Sequence, residues 1–279
     1  MSEQGGLMGR EEVVKRAVGK ADAFELLSCA FAYPDERLAQ GLVDGSFADD
    51  ARACLLDAGA DPAAADSTAE ALAAWRDASA ADLLADMRIV YSRLYLAPGG
   101  HTPIFPYESA FLHVERGMKG VPALFRTSVT LDVERLMREA GVVAKNARKE
   151  PCDSVFEEFE FLSYLYAKLA DALNCDDAEA VAAWTERIQT FEREHAQAWL
   201  PAFMRRTQEL AAEKPYCAFA ALALTVMEVH SRRSSWFLRA LWHSRSHASG
   251  PSSRVRWRST PWLPRLTCCS WSARSRDCL

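Results

Sequence analysis

The chain has 279 residues, enough to bury a sizeable core as one large domain or two small ones. Its composition, 49% hydrophobic and 25% charged, is that of a globular protein, and the formal net charge of −5 gives no reason to expect nucleic acid as partner. That figure hides an asymmetry: from Ser231 onward there are ten Arg, no Lys and one acid, Asp277 (+9), so the remainder stands at −14 and would repel a phosphate backbone.

No apolar run approaches the roughly 18 residues of a membrane span, so stable membrane insertion is not expected. Met1–Arg10 is polar and Gly-rich, unlike a secretory signal, and a cytoplasmic location is the expectation. Eight Cys lie scattered apart from Cys268-Cys269, without any Cys-x-x-Cys pair. Reduced, mostly buried thiols follow, with neither a zinc site nor a redox motif.

Glu11–Ala32 reads as a helix with Val14, Ala17, Val18, Ala21, Phe24 and Leu27 towards a core, stopped at Tyr33-Pro34. Ala-rich helical pieces follow at Asp35–Leu42, Phe47–Ala58 and Ser67–Asp77. Ala81–Leu96 carries a wide apolar face including Met87, Val90, Tyr91, Leu94 and Tyr95, closed by Pro98-Gly99-Gly100. The stretch from Pro98 to Tyr107 holds too much Pro and Gly for helix or central strand. Yet Ile104, Phe105 and Tyr107 are too apolar for a loop loose in water, so it packs either on the body or on a ligand.

Tyr107–Val114 reads as a helical turn or two and Leu131–Ala140 as a helix before Gly141. Asp176–Ala212 holds two helical segments with a kink or boundary at Trp199-Leu200-Pro201. Tyr216–Val229 is a nearly all-apolar closing helix. No segment alternates as a strand does, so the fold class is all-α: one multi-helix domain over 1–230 with an irregular tail, 231–279. That tail, with twelve Ser and five Trp beside its Arg, has no apolar period. It reads either as a basic, aromatic arm for RNA or anionic lipid or as out-of-frame translation of a GC-rich gene, in both cases without an independent fold.

The most informative stretch is Glu150-Pro151-Cys152-Asp153-Ser154 and the helix after it. Pro151 stops what precedes, Asp153 is a good N-cap, and Val155, Phe159, Leu162, Tyr166, Leu169 and Leu173 form one apolar stripe. Glu157 and Glu160 project away from that stripe, whereas Glu158 falls within it. A carboxylate there costs several kcal/mol of desolvation unless it is paired, so Glu158 is either a structural pin, held by an Arg or Tyr, or part of a site.

Support for catalysis is thin: the phosphate-binding, dinucleotide and nucleophile-elbow glycine motifs are all missing from the sequence. His243 and His247 sit at ligand spacing but in the tail. Asp176-Asp177 with Glu179 resembles a metal box only superficially, since acids in a first helical turn complement the helix dipole. Ser231-Arg232-Arg233-Ser234-Ser235-Trp236-Phe237-Leu238 resembles a twin-arginine export motif in the wrong place, such motifs being read at an N-terminus.

Glu150-Pro151-x-Asp153, with Glu158, Glu160, Phe161 and Leu162 following, resembles the signature of the TorD/DmsD/NarJ family of molybdoenzyme maturation chaperones. Tyr91-Ser92-Arg93-Leu94-Tyr95 with Pro98, Pro103, Pro106, Tyr107, Glu108 and Ser109 is similar to a second family segment, and His195–Phe203 to a third. Ser154 stands where the family usually has His, which questions any role needing an imidazole there. The resemblance implies a cytoplasmic, cofactor-free, non-enzymatic chaperone. It would bind the N-terminal, often twin-arginine, leader and the apo form of a molybdopterin oxidoreductase subunit until cofactor is loaded; whether it forms a homodimer is left open. Tyr91, Leu94 and Tyr95 with the loop residues Pro103, Phe105, Pro106 and Tyr107 would form an apolar trough for the leader. Asp153, Glu108 and Glu158 would supply charge for the arginines, and Ser109, Glu150, Pro151 and Ser154 complete the peptide-binding set.

Two other classes compete. An all-α enzyme would use Glu158, Glu108 and Asp153 as acid/base groups or metal ligands, and a metal or small ligand would then raise its melting temperature. A basic-arm binder would instead show salt-dependent binding to nucleic acid or anionic vesicles.

Overall fold

The computed structural model describes residues 9–96, 101–144, 150–212 and 214–231, and every regular element among them is helical. The readings made for the tail beyond Ser231, including the twin-arginine-like motif and the His243/His247 pair, lie outside the described residues, as does the Pro98-Gly99-Gly100 turn. In chain order the helices are α1 (Arg10–Phe31), α2 (Glu36–Asp44), α3 (Ser46–Ala58), α4 (Pro62–Leu72) and α5 (Ala80–Tyr91). After these come α6 (Glu108–Glu115), α7 (Ser128–Glu139), α8 (Val155–Cys175), α9 (Ala178–Phe191), α10 (Gln197–Ala211) and α11 (Pro215–Ser231).

Local chemistry sets most of the starts. The side chains of Asp35, Asp61, Ser79, Thr127 and Asp177 each accept a backbone N–H of the helix they precede. Asp177 thus caps α9, and among the described residues no group of three or more His, Cys, Asp or Glu could hold a metal ion. The helix expected over Ser67–Asp77 begins earlier, because Asp61 caps it with Pro62 in its first turn, and it ends at Leu72 in a short 3-10 turn.

The kink expected at Trp199-Leu200-Pro201 is displaced. Helix α10 runs through Pro201, and the irregularity is a π-helical stretch over Glu192–Ala196. It ends beside Gln197, whose carbonyl the Pro201 ring would crowd in a regular helix. A second π-helical stretch, Ser92–Leu96, carries α5 into the loop.

Helices α1 and α8 pack along each other at the centre, with α3, α9, α10 and α11 around them. Phe31 joins Phe159, Phe203, Tyr216 and Phe219 in one ring cluster, with centroid separations of 5.9–6.5 Å. The two helices are so enclosed that α1 buries Lys20, whose Nζ donates to Tyr166 Oη at 3.3 Å. That hydroxyl in turn donates to the Glu192 carboxylate at 2.8 Å. Burial pushes Lys20 down to about 8, against the pull of Glu192. Where α1 crosses α3, Gly19 allows backbone contact: a Cβ there would strike the main chain of Asp57 and Ala58. No described helix is long and apolar enough to cross a membrane.

Candidate functional site

The loop before α6 and the start of α8 are joined by backbone. Tyr107 and Ser154 form an isolated antiparallel bridge, Glu108 N donates to Asp153 O at 2.8 Å, and Val155 N donates to Pro106 O at 2.9 Å. Ile104 N also donates to Leu94 O at 3.1 Å, tying the loop back to the π-helical stretch after α5. The segments that the sequence singled out separately therefore meet at one junction.

Asp153 does not cap its own helix as expected. The N-cap of α8 is Ser154, without a side-chain bond, and Asp153 Oδ2 instead accepts from Ser109 N at 3.0 Å. The reason lies in α6, whose N-cap residue, Tyr107, offers no capping side chain, so its first-turn amides need an acceptor from outside. Asp153 supplies it, clamping α6 to α8. Burial pushes its carboxyl up, while the Ser109 hydrogen bonds pull the other way. The Ser154 hydroxyl is buried without a hydrogen-bond partner, so what this position contributes is backbone pairing.

Glu158 is fully buried, with Trp199 Nε1 donating to its Oε2 at 2.9 Å. The expected Arg or Tyr donor is replaced by an indole from α10. Burial, followed by the like charge of Glu108, drives the Glu158 carboxyl well above the usual range, while the Trp199 hydrogen bond pulls the other way. Glu108, also buried, pairs through Oε2 with His195 Nδ1 at 2.7 Å, and His195 Nε2 lies 3.3 Å from Asp132 Oδ2 on α7. Burial alone would lower His195, but Glu108 and Asp132 outweigh it and raise its pKa. One imidazole, set between two carboxylates, thus links α6 and α7 to the π-helical stretch before α10. In the sequence His195 only opens the family-like His195–Phe203 segment, and its position six residues before Pro201 carries no signal of its pairing.

Tyr91, Leu94 and Tyr95 are core residues here. Tyr95 is 3% exposed, its hydroxyl 3.1 Å from that of Thr207, and its ring packs on Phe203, Tyr91 and Tyr216. They support the junction from beneath. Pro106 and Pro151 are buried as well, whereas Pro103 is exposed and Phe105, Tyr107 and Glu150 are half-buried. Tyr33, absent from the sequence-derived set, is 54% exposed and packs edge-on to Tyr91 at 5.4 Å.

Glu157 corrects the helical-face reading. It was expected to face away from the core, yet it is 3% exposed, and Glu160 is half-buried rather than in water. A two-faced helix has a wet side; α8 is packed nearly all round, so the phase of its apolar stripe does not predict exposure. Burial, then Glu160 and Glu150, pushes Glu157 up to about 8. On α1, Glu25 rises to about 7 through burial, Asp22 and Glu160.

Glu158→Ala should lower the unfolding free energy by about 1–3 kcal/mol, since it strands the Trp199 indole N–H. Glu158→Gln, which keeps an acceptor, should cost less than about 1 kcal/mol; chemical denaturation compares the two. Glu157 and Glu25 hold protons in the fold that the unfolded chain releases above about pH 4.5. Their contribution is complete below that pH and is lost as pH rises through about 7 and 8. His195 acts in the same sense, and Lys20, lowered to about 8, opposes them only above that pH. Stability should therefore fall between about pH 5 and 8. Glu157→Gln should flatten the fall, gaining on the order of 2 kcal/mol at pH 8.

A family model described as nitrate reductase delta subunit matches residues 61–205, just over half of the chain, from the start of α4 into α10 and across the whole junction. No curated protein and no solved structure matches. Members of this NarJ/TorD-type family act with a molybdoenzyme subunit in nitrate reductase assembly. The chain belongs to the nitrate reductase delta subunit family, and its role is that of a chaperone in molybdoenzyme maturation.

Proposed function

We propose that this chaperone works in the cytoplasm, without catalysis of its own, by holding the N-terminal leader of a molybdopterin-containing reductase subunit, of twin-arginine type, while cofactor is inserted and before export. The observation that carries this reading is the junction itself. A loop with partly uncovered apolar side chains, Pro103, Phe105 and Tyr107, is pinned by backbone to the first turn of the central helix, next to exposed Tyr33. A fixed apolar edge of this kind suits the apolar run of a leader, bound extended or as a helix. Its prior ordering lowers the entropy cost of binding.

The competing enzymatic reading needs Glu108, Asp153 and Glu158 to be reachable. All three are at most 2% exposed and committed to His195, Ser109 and Trp199. Carboxylates so enclosed organise the fold rather than meet a substrate, and the leader's positive charge needs other partners.

The test is a titration of the full-length protein with a fluorescent synthetic leader that carries an adjacent arginine pair before an apolar run. Micromolar binding is expected, and Phe105→Ala should weaken it about tenfold through lost burial. Absence of binding by protein that remains folded would overturn the reading.

A further inference from the structure

Exposed apolar surface gathers at one place away from the junction. Among the described residues nine large apolar side chains are exposed, and five of them, Val114, Met118, Val121, Phe125 and Leu131, fall between the last turn of α6 and the first turn of α7. Val121 is 91% exposed. The backbone beside them is fixed: Arg116 N donates to Leu112 O and Met118 N to His113 O, both at 3.0 Å, and His113 Nε2 lies 3.2 Å from Gly120 O. Every residue from Val114 to Val121 is exposed, and a Cβ added at Gly117 or Gly120, which turn the chain at positive φ, would meet nothing within 4 Å. The connection is thus a convex, ordered tip with open space around it. Its charge also runs against that of the body. Residues 114–131 hold Arg116, Lys119 and Arg126 against one acid, Glu115, whereas the chain before Ser231 is strongly acidic. All three cations are exposed, and among the described residues no ion pair or hydrogen bond engages their side chains.

We propose that this tip docks the protein reversibly on a membrane surface containing anionic lipid, with Met118, Val121 and Phe125 entering the interface and Arg116, Lys119 and Arg126 meeting lipid phosphates. Apolar side chains interleaved with cations match a layer of hydrocarbon beneath a layer of phosphate. Bilayer headgroups mould themselves around a convex tip, whereas a bound peptide requires a groove or a free strand edge. Repulsion from the acidic body is screened over about 8 Å at physiological salt, so a tip standing in open space is governed chiefly by its own charge. Such attachment lies on the bilayer and needs no spanning helix, and no described helix is long and apolar enough to be one. The inference is independent of leader binding.

The experiment co-sediments the full-length protein with vesicles of phosphatidylcholine alone and of phosphatidylcholine mixed with phosphatidylglycerol. The mixed vesicles should bind it about tenfold more tightly, and added salt should release it. Arg116→Gln, Lys119→Gln and Arg126→Gln combined should bring binding down to the phosphatidylcholine level. Val121→Ser with Phe125→Ser should weaken it about fivefold or more. All these positions are exposed, so both variants should keep the melting temperature of the parent, which circular dichroism verifies. Binding that survives both sets of substitutions would belong to another part of the chain, such as the arginines after Ser231, and would overturn the assignment. Equal binding to the two kinds of vesicle would overturn it as well. A concentration-dependent dimer in sedimentation velocity without lipid, dissolved by the same substitutions, would give the tip to a second copy of the chain instead.

Discussion

Burial of carboxylates is the constraint on which this structure turns. Helix α8 crosses the centre of the molecule with acids in its first turn, and Glu108 enters the same interior from α6. Ionised groups there cost several kcal/mol each unless compensated. Compensation comes from other elements: an indole from α10 for Glu158, an imidazole from the π-helical stretch for Glu108, and a backbone amide of α6 for Asp153. Each partner fixes the position of the element that carries it. The polar contacts thereby specify how α6, α7, α8 and α10 meet, a packing that apolar contact alone would leave less defined.

The same constraint acts on every acid of one short segment. Asp153 and Glu158 are each held through one oxygen, by Ser109 N and Trp199 Nε1, and fix the loop before α6 in place. Their other oxygen, like Oε2 of Glu157, is buried without a donor. The residues before Ser231, at −14 against the chain total of −5, give the body a negative field that salt would screen.

Much of the fold was legible because its signals are local. Apolar spacing and end residues place α1, α2, α3, α5 and α11 within a few residues, and Pro and Gly mark the loop before α6. Signals that depend on a neighbour were not. Asp153 has the residue type of an N-cap but serves a different helix, because Tyr107 leaves α6 without one of its own. Glu157 lies off the apolar stripe of α8 yet is buried, since a central helix has no wet face. The three family-like segments identify the residues of the junction, but Tyr91, Leu94 and Tyr95 turn out to lie beneath it, and Tyr33 at its edge belongs to none of them. His195 shows the limit most clearly: its partners stand 87 and 63 residues away.

Ser154 gives the start of α8 no imidazole, and His195 brings one to the junction through Glu108, the neighbour of Tyr107. The charge on that ring is the central claim of this account, since a neutral ring could donate to only one of its two carboxylate partners. Nitrogen-15 NMR of the His195 side chain across pH measures it directly. The account predicts a titration midpoint above the ordinary histidine value, with both ring nitrogens protonated below it. A neutral, single-tautomer ring at pH 6 in the folded protein would contradict it.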